Sequence, residues 1–264
     1  MALLWVAVVL GLIEGITEFL PVSSTGHLIL AERWLPAVAG DAETFRVVIQ
    51  AGALVAVAWL YRARFAGLLR EGASEEGFTG RRGLLLLALT TAPALAVGFA
   101  LRHVLHDLST PIRVAAALAA GGVALLALER FRGDRGTLGV DQITPRIALT
   151  VGLFQCLALW PGTSRSAATI AGGMLLGLSR RAAAEYSFLA AVPVVAAASI
   201  YELWKGRAGL GQSGAALHLA VGFVVSAVAA VFAVKAFTAF LARSTMAPFA
   251  WYRLGLAALV IALV

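Results

Sequence analysis

Charged residues and cysteine are both scarce in this chain of 264 residues. Only 13% of the residues are Asp, Glu, Lys or Arg, whereas 61% are hydrophobic. Because Cys156 is the only cysteine, an intramolecular disulfide and a cysteine metal site are excluded. The basic residues lie in short gaps between apolar runs rather than on one polar face, so the net charge of +7 does not predict nucleic-acid binding.

Long apolar runs take up most of the chain instead. Residues 83–101 contain no Asp, Glu, Lys or Arg, and a run of this length can cross the hydrocarbon core of a bilayer. The composition therefore predicts an all-α polytopic membrane protein whose partner is the lipid bilayer. We predict six spanning helices, at 44–61, 83–101, 112–129, 183–203, about 215–241 and 247–264.

Two polar segments interrupt the apolar pattern, and each contains a proline. The first, from Glu14 to His27, holds two carboxylates, three consecutive hydroxyls and an imidazole. The second, from Leu159 to Ser166, places hydroxyls and Arg165 after Pro161. Helical backbone broken at membrane depth is tolerated only where protein or a wet cavity surrounds it. We therefore predict two re-entrant helix–turn–helix hairpins, at about 1–35 and 147–178.

The two hairpins predict an internal duplication of the chain. Aligning Pro21 with Pro161 places the hydroxyl residues Ser23 and Ser24 on Thr163 and Ser164. Related elements that enter a membrane from opposite faces are typical of an inverted-topology repeat. We predict a single membrane domain over 1–264, with a first repeat at 1–130 and a second at 131–264.

The distribution of arginine predicts how this domain is oriented. The gaps at 62–82 and 129–146 are rich in arginine, and the positive-inside rule makes such loops cytoplasmic. The first hairpin then inserts from the external side and the second from the cytoplasmic side.

Glu14 and Glu18 are candidate catalytic and metal-binding residues. Four residues apart, they share one face of a helix, where two carboxylates in a low dielectric repel each other. That arrangement favours either a shared proton or a divalent cation, Mg²⁺ or Ca²⁺, bound by oxygen ligands. The structural alternative is a helix face that is turned to water at the membrane edge.

The hydroxyl run that follows predicts an anion site. Ser23, Ser24 and Thr25, with Gly26, begin a helix, where free N–H groups and the helix dipole attract negative charge. The alternative is that the hydroxyls only cap the helix. His27 is close enough along the chain to activate or orient a hydroxyl.

The second polar segment adds a cation to this chemistry. Arg165 has a planar guanidinium that can bind phosphate oxygens in bidentate fashion, although it could also snorkel from a loop. If the two hairpin tips meet, two helix starts and one arginine face the acid pair, which suits a phosphate or pyrophosphate with a divalent cation. Further candidates for binding this substrate are Thr163, Ser164, Ser166, Gln50 and Gln155.

These motifs resemble those of the bacterial undecaprenyl-diphosphate phosphatase family, the integral-membrane type associated with bacitracin resistance. The resemblance is carried by Glu14-Gly15, by Thr17 to His27 and by Gln155 to Ser166. Further similarity occurs at Phe45 to Gly52, Phe188 to Pro193, Pro248-Phe249 and Tyr252-Arg253, so the resemblance runs nearly end to end. One departure is Ala167, where the family usually has glycine.

The resemblance implies hydrolysis of a C55 polyprenyl diphosphate to the monophosphate and phosphate, which recycles the lipid carrier of peptidoglycan biosynthesis in the cell wall. It also implies a divalent cation and an active site at the outer face of the bacterial inner (plasma) membrane. In our mechanistic hypothesis, Arg165 binds the diphosphate and Ser24 attacks phosphorus or positions a water, with His27 as acid/base partner. Ser23, Thr25 and Ser164 donate hydrogen bonds to the phosphate oxygens.

A transporter or flippase of polyprenyl phosphate, or of another anionic substrate, is the alternative function. Inverted repeats, broken helices and a midplane anion site are all transporter features. The acid pair beside hydroxyls and a histidine favours an enzyme, because a carrier of an anion has no evident need for two carboxylates. The sequence leaves a homodimer open.

Overall fold

The computed structural model describes residues 4–36, 41–70, 77–108, 110–133, 135–206 and 215–263. The regular secondary structure of these residues is helical, and Leu138 and Leu178 form one isolated bridge. The helices are α1 (Leu4–Thr17), α2 (Ser24–Trp34), α3 (Ala42–Leu60), α4 (Arg62–Leu68), α5 (Gly80–Asp107), α6 (Pro111–Phe131), α7 (Pro145–Leu157), α8 (Arg165–Leu175), α9 (Arg180–Gly206), α10 (Ala215–Leu241) and α11 (Ala247–Leu263).

Five of these helices, α3, α5, α6, α9 and α10, are long and apolar enough to cross a bilayer. The protein is therefore an all-helical, multi-pass membrane protein, as the apolar runs predict. The sixth predicted span corresponds to α11, which has 17 residues and is shorter than these five.

Some helix boundaries differ from the predicted ones. Charged residues lengthen one helix at its ends, and an early turn shortens another. The span predicted at 183–203 extends over 180–206, because its charged ends continue the helix past the apolar run. The first helix of the hairpin predicted at about 1–35 ends at Thr17, and the residues before Pro21 form the turn. The gap at 62–82, predicted to be a loop, begins with the short helix α4.

Glycines let the short helices α1 and α7, which precede the two turns, approach longer helices closely. A Cβ added to Gly15 of α1 would lie 2.3 Å from the carbonyl oxygen of Ser226 in α10. A Cβ on Gly152 of α7 would lie 2.7 Å from the carbonyl oxygen of Thr90 in α5. Small residues at such interfaces permit the backbone contact that drives helix association in membranes. Each of these short helices thereby packs against a long helix of the other half of the chain: α1 against α10, and α7 against α5.

One end of the bundle is joined by ion pairs between distant segments. Arg64 donates to Asp141 at 2.8 Å and to Glu185 at 2.9 Å. Burial alone would raise the pKa of Asp141, but the backbone N–H of Phe78 and the Arg64 guanidinium together hold that pKa below its ordinary value. This carboxylate therefore stays ionised at neutral pH. It connects the loop before α7, which contains Asp141, to α4 and to the residues before α5.

Candidate active site

The turns of the two broken segments have the same unusual backbone conformation. Ser23 has φ of 71° and Ser164 has φ of 69°, and these are the two non-glycine residues with positive φ in the described chain. Each serine caps the helix that follows: the Ser23 hydroxyl accepts from the Gly26 N–H, and the Ser164 hydroxyl accepts from the Ala167 N–H. Strained serines of this kind persist only where the surrounding structure enforces them.

This correspondence shifts the predicted alignment of the two segments by one residue. Ser23 corresponds to Ser164, not to Thr163, so Pro21 corresponds to Gly162. Aligning the two prolines was therefore wrong by one residue. The capping serine and its positive φ, and not the proline, define the turn in both segments.

A buried arginine from α11 contacts both turns. The Arg253 side chain is fully buried, and its guanidinium donates to the carbonyl oxygens of Pro21 at 3.4 Å and Gly162 at 3.1 Å. It also donates to the carbonyl oxygens of Ala117 and Leu118 in α6. Four backbone carbonyls thus hold one cation, and the two turns are fixed relative to each other and to α6.

Two direct contacts also join the turns. The Ser166 hydroxyl donates to the carbonyl oxygen of Leu20 at 2.7 Å, and Arg165 donates to Glu18 at 3.1 Å. The Ser166 hydroxyl in turn lies 3.0 Å from the Ser164 hydroxyl. The two broken segments therefore meet at their turns, as expected.

A pocket of about 190 Å³ lies between the joined turns. Its wall includes Gln50, Ala94 and Val195, which lie near the middles of α3, α5 and α9, so the pocket is at mid-depth in the bundle. Eight of the predicted site residues line it: Glu18, Ser23, Ser24, Thr25, Gln50, Gln155, Ser164 and Arg165.

Ser24 and Arg165 approach the same carboxylate from two sides. The Ser24 hydroxyl donates to Glu18 Oε2 at 2.7 Å, while Arg165 Nη2 donates to Glu18 Oε1. Arg165 also donates to the carbonyl oxygen of Ser187 and lies 5.4 Å from the ring centroid of Phe19. The guanidinium is thus held at the pocket wall, with its Nε atom buried and without a partner.

His27 is directed away from Ser24. Its Nδ1 atom lies 2.8 Å from the carbonyl oxygen of Ser23, and its Nε2 atom lies 2.6 Å from the Tyr252 hydroxyl. A carbonyl only accepts, so Nδ1 carries the proton, and in the neutral ring Nε2 accepts from Tyr252. The Ser24–His27 pair expected from the sequence is not formed, and Glu18 occupies the position next to the Ser24 hydroxyl.

The remaining predicted residues surround the pocket without lining it. Glu14 is buried one helical turn before Glu18, and its Oε2 atom has no hydrogen-bond partner. Gly26 packs against Leu118, and Thr163 faces an apolar groove beside α6. Ser166 is fully buried in the contact between the turns.

Two residues of α11 were given no role from the sequence. Tyr252 contacts His27, and Arg253 contacts both turns. An arginine in an apolar helix is the signal that could have found the second of them, because an intramembrane charge is a functional candidate by default. Nothing in the sequence identifies its partners, which are backbone carbonyls.

The described residues contain no group of three or more His, Cys, Asp or Glu side chains able to hold a metal ion. Of the acid pair, Glu18 lines the pocket and Glu14 lies buried one helical turn before it. Two carboxylates are sufficient for Mg²⁺, which commonly takes its other ligands from substrate phosphates and water.

Comparison with known proteins gives one consistent result. The sequence model of the family described as "Bacitracin resistance protein BacA" matches residues 7–259. Proteins named undecaprenyl-diphosphatase are similar over nearly their whole length. That of Oleidesulfovibrio alaskensis is 50% identical over 97% of this chain and 96% of its own. That of Nitratidesulfovibrio vulgaris is 51% identical over 96% of each chain, and that of Lawsonia intracellularis is 44% identical over 98% of each. This chain belongs to the bacitracin resistance protein BacA family.

Proposed function

We propose that this protein is a membrane phosphatase that hydrolyses undecaprenyl diphosphate to undecaprenyl phosphate and inorganic phosphate. The observation that carries the proposal is the single pocket in which a guanidinium, two helix starts, a carboxylate and a serine hydroxyl converge. The relatives at 44–51% identity that bear the name undecaprenyl-diphosphatase support the choice of substrate.

The diphosphate binds at the joined turns. Arg165 and the N-terminal ends of α2 and α8 supply positive potential there, and helix N-termini are established sites for phosphate. The lipid tail of the substrate lies in the bilayer, and the mid-depth pocket receives the headgroup. Ser23, Thr25 and Ser164 line the same pocket and supply polar contacts to the phosphate oxygens.

Ser24 is the nucleophile in this proposal. Its hydroxyl gives its proton to Glu18, 2.7 Å away, as the oxygen attacks the terminal phosphorus and undecaprenyl phosphate leaves. Water then hydrolyses the phosphoserine to release phosphate. His27 supports this step from outside the pocket, because its bond to the Ser23 carbonyl stabilises the turn that presents Ser24.

A divalent cation, Mg²⁺ or Ca²⁺, fits the acid pair. The buried and unpartnered Oε2 of Glu14, one turn from Glu18, is an oxygen that a cation would satisfy. When bound, the ion offsets the charge of the diphosphate, as in phosphoryl transfer generally. Glu14 and Glu18 are the residues that would hold it.

The proposed topology has six spans, with α11 as the sixth, and two re-entrant hairpins related by an inverted repeat of 1–130 and 131–264. At 1.5 Å per residue, the 14 residues of α1 extend about 21 Å, which is short of a bilayer core of about 30 Å. The shared conformation at Ser23 and Ser164 supports the repeat. The arginine-rich gaps favour a bacterial plasma membrane protein whose site opens to the external face.

Phosphate release from undecaprenyl diphosphate in detergent tests the function. We expect release by the wild-type protein, loss of it with EDTA, and a decrease of about 10³-fold in Glu18→Gln, because that change removes the proton acceptor of Ser24 and a metal ligand. Glu202→Gln is the matched control, since Glu202 pairs with Lys205 at the exposed end of α9. Its rate should equal that of the wild type.

A well-folded wild-type protein that binds the lipid tightly but releases no phosphate would contradict the phosphatase and support the carrier. Full activity in Glu18→Gln with metal present would leave the enzyme intact and remove Glu18 from its mechanism.

A further inference from the structure

Three buried polar atoms, two of them on residues that line the pocket and one on Glu14 beside it, have no hydrogen-bond partner within the described residues. They are Nε of Arg165, Oε2 of Glu14 and Oε1 of Gln155. Buried polar atoms are nearly always paired, so each exception calls for an explanation such as a missing water or ligand. The three atoms differ in charge and in donor capacity, and they therefore select different partners.

The amide of Gln155 is held in one orientation. Its side chain is 2% exposed, and its Nε2 atom donates to the carbonyl oxygen of Thr90 at 3.0 Å. Rotating the amide would place Oε1 against that carbonyl, so the assignment of its oxygen and nitrogen follows from the contact. The Thr90 hydroxyl lies within hydrogen-bonding distance of the Tyr186 hydroxyl and the Ala148 carbonyl, so the anchor itself is well fixed.

The remaining acceptor, Gln155 Oε1, cannot serve the anionic substrate directly. Phosphate oxygens are acceptors, and two facing acceptors repel, whereas Arg165 Nε is a donor suited to them. An orphan acceptor in an anion pocket needs an O–H or N–H donor, and the co-substrate of a hydrolase is such a donor. Gln155 lines the pocket together with Ser24, at which the phosphoryl group is attached in the proposed reaction.

We infer that Gln155 Oε1 accepts a hydrogen bond from the hydrolytic water and orients it toward phosphorus. The inference rests on the proposed phosphatase function and deepens it. The water oxygen forms the new bond to phosphorus as the bond from phosphorus to Ser24 Oγ breaks. Glu18 returns its proton to Ser24, and the proton lost by the water leaves to solvent, so Gln155 orients the water without itself being protonated.

The test is Gln155→Met, which keeps the length of the side chain and removes the acceptor. At saturating substrate and Mg²⁺, the kcat of this variant should decrease about 100-fold. A misplaced reacting group can have an effect of this size. KM should decrease in parallel, so that kcat/KM stays within about threefold of the wild type, because phosphoserine formation precedes the step in which Gln155 acts. Thr91→Val is the matched control, because it removes an unpartnered buried hydroxyl from α5, the helix against which α7 packs.

A second readout separates orientation of water from loss of structure. With methanol added, the product is divided between phosphate and methyl phosphate, and an oriented water favours phosphate. The share of methyl phosphate should rise in Gln155→Met and stay unchanged in Thr91→Val. If Gln155→Met does not fold, the same ratio measured on Gln155→Asn, whose shorter amide cannot reach both partners, decides the question.

Three results would overturn the inference. The first is an unchanged kcat, and the second is a decreased kcat with an unchanged methyl phosphate share. The third is a higher Mg²⁺ requirement with normal kcat at saturating Mg²⁺, which would make Gln155 a metal ligand instead. Failure of the phosphatase function itself is distinguishable, because the wild-type protein would then release no phosphate.

Discussion

Replacing Arg165 by alanine is expected to lower kcat/KM for undecaprenyl diphosphate by about 10³-fold, within the range measured for arginines that stabilise phosphoryl transfer. The guanidinium is held by Glu18, by the Ser187 carbonyl and by the ring of Phe19, and its free Nε faces no protein partner. Arg165 is therefore pre-positioned, and a substrate oxygen gains a charge-assisted hydrogen bond with little reorganisation. The measurement is steady-state phosphate release with a polyprenyl diphosphate in detergent.

Two further variants define what the arginine contributes. Arg165→Lys keeps the charge but loses the planar fork, so we expect it to recover only a small part of the activity. Arg181→Ala removes an exposed arginine from the start of α9, away from the pocket, and should retain wild-type kinetics. If Arg165→Ala stayed within tenfold of the wild type, the substrate would not be bound by this guanidinium.

Replacing Arg253 by methionine is expected to destabilise the protein more than any other single change at the site. The substitution leaves the turn carbonyls of Pro21 and Gly162 buried without this donor, whereas the carbonyls of Ala117 and Leu118 lie inside α6 and keep its backbone hydrogen bonds. Each buried unsatisfied acceptor costs about 1–3 kcal/mol, so the free energy of unfolding should fall by on the order of 4 kcal/mol after partial relaxation. Thermal unfolding in detergent, followed by intrinsic fluorescence, measures the effect as a lower Tm.

The geometry around Arg253 supplies its own controls. A Cβ on Gly121 would lie 2.1 Å from Arg253 Nη2, so Gly121→Ala should displace the guanidinium and lower the Tm in the same direction. Arg243→Met changes an exposed arginine after α10 and should leave the Tm unchanged. A Tm of Arg253→Met within about two degrees of the wild type would show that the turns are held by other contacts, since 1 kcal/mol corresponds to roughly 2–4 °C in a domain of this size.

The membrane class and the position of the site could both be predicted from the sequence. Apolar runs of spanning length follow directly from bilayer thickness, and the two polar interruptions stand out because ionisable groups are costly in lipid. The tips at Ser23 and Ser164 lie within the predicted motifs, and eight predicted residues line one pocket. These features depend on composition and on residues that are close together in the chain, and both can be read directly from the sequence.

The partners of each polar side chain depended on the tertiary structure. Sequence proximity paired Ser24 with His27, but the turn points His27 toward Tyr252, 225 residues away, and brings Ser24 to Glu18. Arg253 joins both turns through backbone carbonyls, which every residue possesses and which therefore leave no mark in the sequence. The sequence alone determined that the chain enters a membrane and where its chemistry lies. Only the packing of α1, α7 and α11 decided which groups face one another, because contacts between distant residues are determined by the fold of the whole bundle.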